Sequence, residues 1–406
     1  MTWRSRWLLA PVAFAVAAAA LTPIRTEAHK PITSPYTYNE DVFPIVRDHC
    51  GRCHAPGGVA PMSLLTYKEA YPWGESIRTE LIAGHMPPWT ADGGRSRFKN
   101  AQPLTAKEMN VLLTWATGGN PVGGAELPTP AAADPSRWPL GPPDVVLPLP
   151  REFAMPSDKQ EDTVEFVVPT GIAEARTIRA VDLKPGTPAI VRNAIIAVKG
   201  GSSGDEGEGG IEPERVLGLW VPGEDPVAVD QVDQRAGFQL PRSAELVVRV
   251  HYKKTWEYER RAMTDRSTVG IYLAPRAGAP ISVLTLAADA PAAAGDSVAF
   301  ARVVDQDLRA LAIYPDPALV NASVRVDAVR PDGSRSEIIR FRPQQDWARR
   351  YWFEQPITLP RGTRIEVAAA FPGPEALLPP GATAAGAASA ARPPVRLTLN
   401  VASEAH

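Results

Sequence analysis

From about residue 151 the chain alternates apolar and polar residues in short runs, a period of two that belongs to half-buried β-strands. Thr163-Val164-Glu165-Phe166-Val167-Val168, Leu246-Val247-Val248-Arg249-Val250-His251-Tyr252 and Ser323-Val324-Arg325-Val326-Asp327-Ala328-Val329 are such runs. Turn signals such as Pro331-Asp332-Gly333 separate them. The 43 prolines among 406 residues favour short strands and many turns over a helical bundle. The region is long enough for two packed sandwiches, dividing near residues 275 to 290. Gly200 to Glu214 reads as an acidic, solvated loop, and residues 381 to 393 as a low-complexity, alanine-rich one.

The N-terminus has a different texture. Arg4 and Arg6 precede an apolar run from Leu8 to Leu21, and Thr26-Glu27-Ala28 offers a cleavage site. An export signal over residues 1–28 is expected; an uncleaved membrane anchor is the alternative. The run is short for a span, which needs about 20 apolar residues. The mature chain is therefore expected to be periplasmic or otherwise exported, and soluble. A formal net charge of −2 calls for neither nucleic acid nor an acidic partner.

Exported chains usually spend cysteine on disulfides. Here there are only two cysteines, both inside Cys50-Gly51-Arg52-Cys53-His54. C-x-x-C-H is the attachment signature of c-type haem. Two thiols three positions apart reach the two vinyl groups of one porphyrin, and the histidine that follows turns its imidazole to the iron. A zinc site would need a second ligand pair, and a thioredoxin-like dithiol would need a βαβ setting.

The flanking pattern agrees with a haem segment. Val42, Ile45 and Val46 share one helical face before Cys50, with Asp41 as a cap and Pro44 in the first turn. Tyr67 to Ile82 reads as a second helix. Thr105-Ala106-Lys107-Glu108 is a capping box that opens a third, with Met109, Leu112, Leu113 and Ala116 on one face and Gly118-Gly119 as the stop. Methionine as sixth ligand would raise the haem potential relative to histidine. Met62 follows His54 by only eight residues and would have to round the porphyrin edge almost at once. Met86, braced by Pro87-Pro88-Trp89, is the favoured distal ligand, with Met62 or His85 as alternatives. His49 is expected at the surface or on a haem propionate.

Residues 37 to 120 resemble a bacterial cytochrome c domain family. The likeness rests on the haem motif, on Gly58-Val59-Ala60-Pro61-Met62-Ser63-Leu64-Leu65-Thr66-Tyr67 and on the Met-Pro-Pro-Trp element at Met86. The resemblance implies the methionine of that last element as axial ligand. Residues 151 to 400 resemble the copper type II, ascorbate-dependent monooxygenases, which include the peptidylglycine hydroxylating enzymes and comprise two jelly-roll domains. This likeness rests on Trp220-Val221-Pro222-Gly223, Leu240-Pro241, Val250-His251-Tyr252, Arg330-Pro331-Asp332-Gly333 and Leu359-Pro360-Arg361-Gly362-Thr363. Of the copper ligands the resemblance implies, only His251 is kept. The adjacent histidine pair falls on Arg192-Asn193, and the histidines of the second site on Asp316 and Ala318. Met155 and Met263 do not sit where a ligand is implied. Copper is not expected, although His29 as a new amino terminus would offer an amine and an imidazole together.

The expected fold class is multidomain. A small all-α cytochrome c domain (29–120) and a Pro/Ala/Gly-rich linker (121–150) precede an all-β region of two jelly-roll-like sandwiches (151–280 and 281–406). The expected function is electron transfer by a mono-haem c-type cytochrome whose β domains dock a redox partner protein or act as a scaffold, with no catalytic residue assigned. The alternatives are a haem-coupled oxidoreductase or monooxygenase with metal in the β region, and a redox-sensing binding protein.

Overall fold

The computed structural model describes residues 33–88, 91–92, 97–101, 103–125, 127, 137–200, 211–288, 297–320, 322–371 and 394–404. The export signal, His29, Trp89, the loop at 381–393 and His406 lie outside them.

A π-helical turn, Tyr38–Val42, leads into α1 (Phe43–His49). α2 (Tyr67–Ala70), α3 (Gly74–Ala83) and α4 (Ala106–Thr117) follow. Asp41 lies inside the π-turn and not at the cap of α1, which is Val42; its carboxylate accepts the Thr37 N–H at 2.8 Å. Pro72 lies in the 3₁₀ turn Tyr71–Trp73 that separates α2 from α3, so the expected single helix is broken. Thr105 and Glu108 form the expected capping box on α4. Tyr38, Val42, Phe43, Val46, Leu112 and Trp115 make the small core that these helices share.

The strands run in chain order: β1 (Ala91–Asp92), β2 (Val145–Pro148), β3 (Phe153–Met155), β4 (Glu161–Pro169), β5 (Arg176–Lys184), β6 (Val191–Val198), β7 (Val216–Trp220), β8 (Ala236–Leu240), β9 (Glu245–Lys253) and β10 (Met263–Asp265). They continue as β11 (Thr268–Leu273), β12 (Ala279–Pro280), β13 (Ser282–Ala287), β14 (Ser297–Val303), β15 (Leu308–Pro315), β16 (Ser323–Val329), β17 (Arg335–Phe341), β18 (Tyr351–Leu359), β19 (Arg364–Ala370) and β20 (Arg396–Ser403). One sandwich faces the sheet β12-β8-β5-β11-β2 against β4-β9-β6-β7; the other faces β1-β17-β16-β19-β14 against β13-β20-β15-β18. The alternation read in the sequence sets which side chains go in. On β9, Leu246, Val248, Val250 and Tyr252 are fully buried while the residues between them are partly open.

Every residue of β15 is buried. Leu308, Ala310 and Ile313 belong to the core of the second sandwich, whereas Leu311 and Ala312 join Trp352 and Ala402 in the core of the first. A bulge in the pairing between Ala310 and Ala312 accompanies this change of side. The two sandwiches therefore share a buried apolar seam.

This architecture corrects the expectation of a small all-α cytochrome domain standing ahead of two jelly-roll-like sandwiches. Among the described residues the chain is mostly β, and the α-helices have only seven, four, ten and twelve residues. After α3 the chain leaves the helical layer. β1 pairs with the edge of β17 (Ala91 opposite Phe341), and Phe98 bridges to Phe353 within the core of the second sandwich. A segment with so few helical turns buries little surface alone and borrows a sheet edge to complete itself. Further on, β2 lies within the stretch read as linker and pairs with β11. Among the described residues no helix is long and apolar enough to cross a membrane.

Candidate cofactor-attachment site

α1 delivers the cysteines. The N–H groups of Cys50 and Gly51 both donate to the Val46 carbonyl at 2.8 Å, carrying the last turn past His49. Cys53 and His54 N–H then donate to the Cys50 carbonyl at 3.1 and 2.8 Å, so a second turn presents both thiols on one side. A Cβ at position 51 would come within 2.8 Å of the Arg47 carbonyl oxygen, so this crossing needs glycine. Both cysteines are free thiols, Cys53 buried and Cys50 half-buried. Burial pushes both up to about 12. Redox-active dithiols are shifted the opposite way. Burial thus favours the neutral thiol at both positions, against the pull of the Arg192 and Arg52 charges at Cys53.

His54 is oriented by the loop that follows. Its Nδ1 donates to the Met62 carbonyl at 3.1 Å, and its own carbonyl accepts from Leu64 N–H at 3.1 Å. Burial holds the imidazole below its usual range, hence neutral. A neutral ring with Nδ1–H committed to a carbonyl leaves Nε2 as a lone-pair donor, the second-sphere arrangement usual for metal-binding histidine. Met62 is half-buried and packs on the helical core. Its carbonyl holds the His54 ring. Tyr38 fastens the same loop, donating to the Leu64 carbonyl at 2.6 Å from a cluster with Phe43, Tyr67 and Trp115.

Met86 and His85 follow α3, which ends on Gly84 in a left-handed conformation (φ 70°). Their N–H groups donate to the Glu80 carbonyl at 3.4 and 3.0 Å. The His85 ring is engaged by Glu80 at 3.0 Å, whereas the Met86 side chain is among the exposed apolar ones, 37 % accessible. Gln344 from the second sandwich donates to the carbonyls of Gly84 and His85, both at 3.2 Å. His49 lies against Glu108 at 3.3 Å, pinning α1 to the capping box of α4.

The β region closes over Cys53, a cover that the sequence pattern does not reveal. Cys53 Sγ lies 3.7 Å from the Pro222 carbonyl; Arg52 pairs with Asp225 at 2.9 Å; Asn100 donates to the Asp225 carbonyl at 3.0 Å. From β6, the buried Arg192 donates to the Val59 carbonyl at 2.5 Å. The signal was present in Trp220-Val221-Pro222-Gly223, which had been read only as a marker of the fold.

The residues present suit a covalent haem: two free thiols at i and i+3, and a neutral imidazole with Nε2 uncommitted. They do not suit copper. Arg192 offers a guanidinium that is spent on Val59, and Asn193 gives its amide to the Asp346 carbonyl at 3.1 Å. Asp316 accepts from the Ala318 N–H at 2.9 Å, leaving no imidazole at either place. Met155 and Met263 face each other across β3 and β10 as core residues. Around His251, Glu161 Oε1 and Asp346 Oδ1 each lie 3.3 Å from Nε2, with Thr163 Oγ1 3.0 Å from Nδ1. The other oxygen of each carboxylate faces Lys253, at 3.4 and 3.2 Å. Among the described residues these three form the single grouping of converging metal-type ligands. Lys253 already supplies its cation, so it reads as an ion-pair network.

No family model matches the chain, and no curated protein matches it. Among solved structures, a "Structure of allantoicase" aligns with 61 % of this chain and 78 % of its own, at 11 % identity and a TM-score of 0.19. A likeness that slight carries no argument.

Proposed function

We propose that the protein is an exported mono-haem c-type cytochrome acting in electron transfer. In this reading Cys50 and Cys53 bind the haem vinyls, His54 is the proximal axial ligand and Met86 the distal one. The observation that carries it is the His54 ring, held through Nδ1 by the Met62 carbonyl beside two free thiols. Haem, when bound, supplies a one-electron couple. The chain's own residues do the rest: Met62 and Tyr38 fix the proximal loop, the Pro222 carbonyl packs on Cys53, and Arg192 holds a buried positive charge near Cys53. That charge favours the reduced state. The β region serves as scaffold and as a docking surface for a redox partner protein. Arg4, Arg6 and the apolar run to Leu21 support export to the periplasm or beyond.

The test is an absorption spectrum with metal quantification on exported protein. One covalently bound iron porphyrin per chain is expected, with a low-spin reduced spectrum. Met86→Ala should abolish the methionine-ligated spectrum while haem stays attached; an unchanged spectrum moves the ligand to Met62 or His85. A colourless product with both thiols free refutes the reading, and stoichiometric copper would revive a monooxygenase-like activity.

A further inference from the structure

The loop after the attachment motif folds back on it. Ala60 N–H donates to the Cys53 carbonyl at 3.2 Å, Leu64 N–H donates to the His54 carbonyl at 3.1 Å, and the Met62 carbonyl takes the His54 ring. Gly58 permits the return, since a Cβ there would collide with the Cys53 carbonyl oxygen. The β region grips this loop at the buried Val59, whose carbonyl accepts from the Arg192 guanidinium at 2.5 Å.

Arg192 reaches that carbonyl from a bulge in β6. Val191 stands opposite Tyr252 of β9 and Asn193 opposite His251, so β6 spends three residues where β9 spends two. Arg192 is the extra one, and a bulge of this kind re-aims a side chain out of the regular ladder. Asn193 is tied in turn to the Asp346 carbonyl at 3.1 Å.

The residue is only 8 % exposed. Among the described residues it has no carboxylate within ion-pair distance; the acidic groups whose charge reaches it, Asp346 and Glu161, are engaged by His251 and Lys253. Burial works against the charge, yet a guanidinium keeps its proton. Its field is felt at Cys53. Burying an unneutralised cation costs stability. A tie to Val59 alone does not require one, because a neutral amide could donate to the same carbonyl.

We propose that Arg192 is a positioning residue of the haem site: through Val59 it holds the loop that orients His54, and its charge raises the reduction potential of the attached haem. The inference rests on the haem reading and assigns to the first sandwich a part in setting the redox couple.

The experiment is a spectroelectrochemical titration of the full exported chain, with a parallel urea titration followed at the haem band and in the far ultraviolet. Arg192→Met, which loses both donor and charge, should lower the ratio of reduced to oxidised protein at a fixed applied potential about tenfold, a shift of about 59 mV for one electron. Its low-spin band should also vanish at lower urea than its β-sheet signal. Arg192→Lys, which keeps a cation and a donor, should restore most of both. Asp346→Asn removes a negative charge that acts on Arg192 and should move the ratio several-fold the opposite way; it serves if the methionine variant does not fold. A folded Arg192→Met protein with the wild-type potential, a lysine variant that falls as far as the methionine one, or an Asp346→Asn protein that is harder to reduce overturns the proposal. Colourless wild-type protein with free thiols refutes the haem reading and takes this inference with it, whereas coloured variants of unchanged potential refute this inference alone.

Discussion

Cys53 is the residue at which the two kinds of structure in this molecule meet. Its backbone belongs to the helical turn that carries Cys50, and its sulfur lies under the Pro222 carbonyl. Three residues along from Pro222, Asp225 holds Arg52 on one side and lines a small cleft with Asp182 on the other. Asp182 also makes the stability of the fold depend on pH. Its folded-state value of about 7 lies above its ordinary value of 3.8, so the folded chain keeps a proton that the unfolded chain loses. This contribution is fully present below about 4 and is lost as pH rises through about 7, at up to about 1.4 kcal/mol per pH unit. Glu224, also raised to about 7 by burial, acts in the same direction. Urea midpoints between pH 4.5 and 7.5 should fall more steeply for the wild type than for Asp182→Asn; parallel profiles would show that Asp182 does not titrate in this window.

At the level of the element, α4 depends on its first turn. Thr105 Oγ1 accepts the Glu108 N–H at 3.2 Å, and the Glu108 carboxylate accepts the Thr105 N–H at 2.8 Å and also meets His49. Thr105→Ala should cost about 1 kcal/mol, read as a lower thermal midpoint, whereas Thr105→Ser should restore most of it. This cap could be read from four consecutive residues because both partners are local. The strands β4, β9 and β16 were legible for the same reason, since a period of two is a local pattern. The break at Pro72 was missed because a proline tolerated in the first turn of one helix also ends another. β1 was missed because two residues carry no period; only the open edge of β17 makes them a strand. In the site, the helix that leads into Cys50 was legible from its apolar face. The cover supplied by Arg192, Pro222 and Asp225 was not, for those residues approach from well over a hundred positions away.

Across the whole molecule, the helical layer and the two sandwiches are stitched rather than strung together. Phe98 sends its ring into the second core against Tyr351 and Phe353, and Lys99 N–H donates to the Trp352 carbonyl at 2.8 Å. The seam along Leu311, Ala312 and Trp352 joins the sandwiches in turn. Heating should therefore give one cooperative transition for the described body. Phe98→Ala, leaving a void in a packed core, should cost about 3–5 kcal/mol and split the calorimetric trace into two, the helical layer melting first. A single transition shifted by less than a degree would mean that the ring does not couple the layers.

The pairing of Ala91–Asp92 with β17 has one more consequence. A newly made polypeptide whose front portion has not yet closed leaves the end of β17 at Arg340 and Phe341 uncovered, and open strand edges recruit one another. Chains stalled at that stage would clump through their rear halves, so the yield of a production strain hangs on how quickly two residues near the front find their seat.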